Sequence, residues 1–138
     1  MYCLIYSASL IGFTSIKIHV EVSATTGLPQ ETIIGLPDTV IKESKPRIKS
    51  ALRLAGFDLP AMAYTINLAP IDISKKSPCV ELAIAVGLLV ITKQVILKET
   101  YCFIGSLSLN GSIEPVRLIL PMIHLYEETT IFVIPKKM

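Results

Sequence analysis

Cys79 stands where a thiol can be made reactive. It follows Lys75, Lys76, Ser77 and Pro78 and opens an apolar run of helical length. A thiol at a helix N-terminus has its pKa lowered by the helix dipole, and an ammonium from Lys75 or Lys76 would lower it further, which is how thiolate nucleophiles are made. The competing reading is a small apolar residue packed at a helix start. Residues 65–87 read as a strand, a loop with adjacent lysines, then this helix; residues 103–122 read as a hairpin running through Pro115 into another helix. A nucleophile-bearing helix start facing a hairpin is an active-site geometry, so the two segments are expected to form one site or the remains of one. Outside them, Lys42, Lys45, Arg47, Lys49 and Arg53 fall in one predicted helix and are the candidates for phosphate contact. Glu43 interrupts them and no aromatic residue stands among them to stack bases, so a solvated helix face is the plainer account.

The remaining titratable residues offer less. His19 sits in an alternating strand pattern and His124 beside Glu127 and Glu128, neither with a cysteine or aspartate at metal spacing. Asp72 with Glu81 could hold a cation, yet beside Lys75 and Lys76 both read more simply as surface ion partners. Asp38, after Leu36-Pro37, is explained by an N-cap.

The elements that must position these groups follow from periodicity. Residues 2–7 and 16–23 have β-branched strand character, the second with clean alternation, and residues 32–35 read as a third strand, giving a three-strand meander. Residues 39–55 carry apolar positions at helical spacing, with Gly56 at C′; Pro46 inside predicts a kink near residues 42–45 or a later start. Residues 64–68 are a fourth strand. Pro78 is tolerated in the first turn of a helix reaching about residue 92, apolar nearly all round and therefore buried on most faces. Asn110-Gly111 signals a hairpin between strands at 101–109 and 112–114, and residues 118–127 and 131–134 read as a last helix and strand. The fold class is mixed α/β (α+β): one mixed sheet with about three packed helices.

Composition bounds the function. With 138 residues the chain is read as a single domain, 1–138. It is 51% hydrophobic, with mean hydropathy +0.61, but no run reaches the roughly 18–20 uncharged apolar residues of a membrane span. The N-terminus lacks a basic n-region and a small-residue cleavage site. Three widely spaced cysteines indicate neither a disulfide framework nor a zinc motif, and reduced thiols fit the cytoplasm. A formal charge of +2 does not by itself imply nucleic acid. No G-x-x-x-x-G-K-[ST] loop occurs, so no backbone cradle for a triphosphate is present.

Many short runs in one order then carry a resemblance over nearly the whole chain: Tyr6-Ser7-Ala8, Gly35-Leu36-Pro37-Asp38-Thr39, Lys42-Glu43-Ser44, Asn67-Leu68-Ala69-Pro70, residues 83–87 (AIAVG), Gly105, Leu107-Ser108-Leu109, Gly111-Ser112, Pro115-Val116-Arg117 and Leu120-Pro121-Met122. They resemble the N-terminal domain of the ComM/YifB magnesium chelatase-like AAA+ ATPases. That resemblance implies a Lon-protease-type fold, shared with ribosomal-protein and DNA-gyrase domains. It also implies an accompanying AAA+ module, which this chain lacks and to which ATP and Mg²⁺ would belong, and a link to DNA branch migration in natural transformation. Lys76-Ser77-Pro78-Cys79 resembles the nucleophile loop of Lon, with Cys79 at the serine position, but Leu120 occupies the position of the catalytic lysine and cannot take a proton. Ser77 and Leu118 stand where relatives have glycine, Ser106 where they have an acidic residue and Glu81 where they have aspartate.

The expectation is therefore a non-catalytic, cofactor-free, cytoplasmic accessory or assembly domain of such an ATPase, acting through self-association or contact with the ATPase module, with no membrane contact. The alternatives are a Lon-like peptidase remnant with Cys79 as nucleophile and Lys75 or Lys76 as activating cation, and a DNA-contacting module using residues 42–53.

Overall fold

The computed structural model of the chain describes residues 1–11, 14–70, 78–114, 126 and 130–134. Strands β1 (Tyr2–Ile11) and β2 (Thr14–Thr25) make a long antiparallel pair, in register from Tyr2 opposite Ser23 to Ile11 opposite Thr14. Both exceed their predicted lengths because the antiparallel ladder continues through residues 8–11 of β1 and 14–15 of β2. With β3 (Gln30–Ile34), β4 (Ala63–Ala69), β5 (Tyr101–Phe103) and β8 (Ile131–Val133) they form a six-stranded mixed sheet in the order β3-β4-β2-β1-β5-β8. The short strands β6 (Ser106–Leu107) and β7 (Ile113–Glu114) pair separately.

The expected three-strand meander does not form. β4 pairs with β2, and β3 attaches parallel to β4 at the sheet edge. Burial explains the choice: β4 contributes Tyr64, Ile66 and Leu68 to the core, whereas β3 contributes Ile33, so the more apolar strand takes the interior position. The helix between them, α1 (Asp38–Leu54), is the crossover that parallel neighbours require. It runs unbroken through Pro46, and its N-cap is Pro37 rather than Asp38. Asp38 makes no side-chain cap bond and instead places its carboxylate in the first turn, where the helix dipole favours it. At the other end Gly56 takes φ +94°, as its C′ position predicted.

The core lies between one sheet face, including Ile18, Val20, Val22, Ile66 and Leu68, and the two helices α1 and α2 (Glu81–Ile91). A 3₁₀ turn, Pro78–Val80, leads into α2. α2 is buried on most faces, as its composition predicted, and crosses β1 and β2 closely at Gly87, where an added Cβ would sit 2.7 Å from Val22 Cγ2. Gly35, at φ +101°, makes a similar approach: a Cβ there would run into the Leu68 carbonyl oxygen. The predicted last helix, residues 118–127, lies outside the described residues apart from Tyr126. No helix among the described residues is long and apolar enough to cross a membrane.

Candidate functional site

The structure joins the two segments singled out from the sequence. The single strand expected over residues 101–109 is broken at Ile104-Gly105, because that backbone bonds elsewhere: the Gly105 N–H donates to the Cys79 carbonyl at 2.8 Å, and the Leu82 N–H donates to the Gly105 carbonyl at 3.0 Å. The start of α2 is thereby tied to the β5–β6 connection. Residues 108–112 then form a longer turn than a two-residue hairpin, closed by Ser108 N–H to the Ser112 carbonyl, with Gly111 at φ +91° packed near Ala51 and Ala55 of α1.

Glu81 pins this junction. Its side chain is wholly buried, with Oε2 accepting from both Nε and Nη2 of Arg47 at 2.9 Å and Oε1 accepting from the Leu107 N–H at 3.0 Å. One carboxylate thus links α1, α2 and β6. Neither reading of Glu81 from the sequence survives: it is no surface ion partner, and its acceptors are taken by a guanidinium and an amide rather than offered to a metal cation. Arg47 correspondingly leaves the basic patch. It lies on the helix side that buries Ser44, Ile48 and Ala51, a spacing visible in the sequence but assigned there to a solvated face.

Cys79 is fully buried, and its thiol donates to the Ala8 carbonyl at 3.2 Å. It belongs to a small apolar cluster with Ala8, Cys102 and Ile104, against which Tyr6, Tyr126, Phe132 and Ile134 pack. Tyr126 donates its hydroxyl to the Ser7 carbonyl at 2.6 Å, and Ser7 donates to the Phe103 carbonyl at 2.7 Å. Burial pushes the Cys102 thiol up to about 12 and also raises the Tyr126 phenol. A substrate has no exposed sulfur to meet here. The proposed activating cations Lys75 and Lys76 lie outside the described residues, as do Asp72, Ser77, Arg117, Leu118, Leu120 and His124.

Lys42, Lys45, Lys49 and Arg53, at helical spacing, share one stripe of α1, directed away from the Arg47–Glu81 pair. Lys49 Nζ stands 3.7 Å from Glu31 Oε1 on β3. On the sheet face opposite the helices, exposed His19 meets Tyr6 edge-on at 5.3 Å between ring centroids. Beside it Glu21 accepts from Tyr2 Oη at 2.8 Å and from Asn67 Nδ2 at 2.9 Å, bonds that hold its carboxyl below the usual range. Sequence reasoning missed this trio; Tyr2 lies opposite Ser23 in the β1–β2 register and reaches Glu21 as its diagonal neighbour on the same face. Among the described residues no three His, Cys, Asp or Glu side chains converge as a metal site requires. The sequence likewise carries no G-x-x-x-x-G-K-[ST] phosphate loop.

Comparison with known proteins places these features in context. The family model for subunit ChlI of Mg-chelatase matches residues 20–138. The chain is 36% identical over 115 residues to the YifB proteins of Salmonella typhimurium and Escherichia coli, covering 82% of this chain and 23% of each of theirs. It is 34% identical over 122 residues to the competence protein ComM of Haemophilus influenzae, covering 87% of this chain and 24% of ComM. The chain therefore spans about a quarter of the length of the curated relatives it matches.

Proposed function

Because the chain belongs to the family of Mg-chelatase subunit ChlI, with YifB and ComM among its relatives, we propose that it is a non-catalytic accessory or assembly domain for a ComM/YifB-like ATPase. The observation that carries this reading is the state of the helix start. Its thiol is buried and donates to a backbone carbonyl, and its carboxylate is held between a guanidinium and an amide, so the groups that catalysis would use hold elements together instead. In this reading the chain binds no nucleotide or metal of its own, and works in the cytoplasm through protein contacts. The description of ComM as a competence protein suggests DNA processing as the setting, with branch migration the activity of the ATPase it would serve.

Mixing the chain with the part of Haemophilus influenzae ComM that lies outside the matched region tests the reading. Comigration in size-exclusion chromatography with light scattering, together with a changed ATPase rate, is the expected result. Absence of association, with peptide hydrolysis that disappears in Cys79→Ser, would replace it with the peptidase reading.

A further inference from the structure

We propose that the groove between α1 and the start of β3 binds an extended acidic peptide segment of a partner protein, carboxylates against Lys45, Lys49 and Arg53 and an apolar side chain on the floor between them. The proposal rests on the protein-contact part of the accessory reading and specifies the chemistry of the contact.

The groove encloses about 570 Å³. One wall is the stripe of α1 that carries Lys45, Lys49 and Arg53 on successive helical turns. The opposite side is Pro29, Gln30 and Glu31, where β3 begins, and the floor includes Leu52, Phe57, Met62 and Tyr64. Tyr64 is anchored by donating its hydroxyl to the Pro60 carbonyl at 2.7 Å, which fixes the loop closing the groove. β3 is an edge strand whose outer side has no strand partner among the described residues. An extended peptide can therefore add main-chain hydrogen bonds at that edge while alternate side chains reach the groove.

Charge selects the occupant. Three cations line the groove against two carboxylates, Glu31 and Asp58; Lys49 faces Glu31, while Lys45 and Arg53 have no carboxylate partner among the described residues. A peptide can set its carboxylates beside Lys45 and Arg53, share the exposed Lys49 with Glu31, and lay its apolar side chain on the floor. A nucleic acid is the poorer fit: a phosphate row would pass Glu31 and Asp58, and the apolar floor would be left without a complement.

Fluorescence anisotropy of the 138-residue chain with a short fluorescein-labelled peptide of alternating aspartate and leucine tests this. Saturable binding is expected, weakened about tenfold or more by the double substitution Lys49→Glu with Arg53→Glu, and weakened similarly when asparagine replaces aspartate in the probe. The neutral pair Lys49→Gln with Arg53→Gln, expected to fall between, covers the event that reversal disturbs the fold, which circular dichroism reads. No saturable binding, binding indifferent to the substitutions, or charge-dependent binding of oligodeoxythymidylate that displaces the peptide would each overturn the proposal. Peptide binding that fails while the ComM segment still comigrates rejects the groove alone. Comigration that fails while the peptide still binds rejects the assembly reading and leaves the groove standing.

Discussion

The start of α2 and the groove beside α1 both set charged side chains among apolar ones, and they do opposite things with them. At the α2 start Glu81 is wholly buried, and its polar partners among the described residues are Arg47 from α1 and the Leu107 amide from β6. In the groove the Lys49 side chain is 63% exposed, and its one ion partner among the described residues is a loose 3.7 Å away. A charge removed from water must be matched by fixed partners, and once matched it is a cross-link unavailable for chemistry. A charge left in water costs little and stays free to meet something else. The contrast assigns structure to the junction that looked catalytic and contact to the helix face that looked bland.

The substitution expected to do most damage is Arg47→Ala. It leaves the Glu81 carboxylate buried without its cation, and the loss of unfolding free energy should be about 3 kcal/mol by urea denaturation. Glu81→Gln should cost less, about 1–2 kcal/mol, because the amide oxygen still accepts from Leu107 while only the charged half of the link is lost. If both changes fall within about 0.5 kcal/mol of the unaltered chain, the junction is not the cross-link described, and the contrast with the groove collapses.

Accessibility gives the second test. Native Cys79 should be alkylated no faster than the protein unfolds, and half-buried Cys3 should be labelled well before Cys79 or Cys102. Mass spectrometry of each cysteine after timed iodoacetamide exposure reads this directly. Rapid labelling of Cys79 below about pH 8, under the range of an ordinary thiol, would return the helix start to the catalytic column. Cys79→Ser should keep the fold, since a hydroxyl can still donate to the Ala8 carbonyl.

Alkali should loosen the buried side of the comparison first. Burial raises the Cys102 thiol from the 9.0 of an ordinary thiol to about 12, so between those limits the unfolded chain has released a proton that the folded chain keeps. Fewer protons bound in the unfolded state means that stability falls as pH rises. The contribution is complete below pH ~9 and is lost progressively toward pH ~12, with Tyr126 and Cys3, also raised, acting in the same direction. Urea midpoints measured across that range should decline, and Cys102→Ala should flatten the decline even as it lowers stability throughout.

How much of this was legible in the sequence depends on the range of the interaction. Local signals held: Gly56 at C′, the all-round apolar α2 and the strand alternation of β2 each report a few neighbouring residues. The interior place of β4 was not legible, because strand order depends on which of two distant segments buries more apolar surface. The Arg47–Glu81 pair joins residues 34 positions apart and leaves no local mark beyond an arginine at buried spacing. Cys79 failed for a related reason: a helix start reads alike whether it opens to solvent or is covered, and the covering backbone at Gly105 comes from another part of the chain. The basic cluster was readable as one helix's cations; that Arg47 stood at buried spacing was readable too, but nothing local named the Glu81 that holds it there.

The smallest effect belongs to Lys49→Ala, and its smallness is what sharpens the contrast. Lys49 stands on the exposed side of α1 opposite Glu31, whose side chain is 18% exposed, and no hydrogen-bonding geometry accompanies their 3.7 Å approach. Attraction between such charges in water is largely offset by hydration and by the rotamer freedom of the lysine, so its removal should change unfolding free energy by no more than about 0.5 kcal/mol. Alanine has the higher helix propensity, by a few tenths of a kcal/mol, which narrows the difference further. The same substitution should weaken the acidic peptide severalfold, because the peptide meets Lys49 in a groove that excludes part of the solvent. A residue whose loss leaves folding intact but reduces binding is doing its work between molecules. Arg47 should show the reverse, a large stability loss with peptide affinity unchanged wherever the variant remains folded. If Lys49→Ala instead destabilises the fold by as much as Arg47→Ala, the groove wall is a second cross-link and the two regions do not differ in kind.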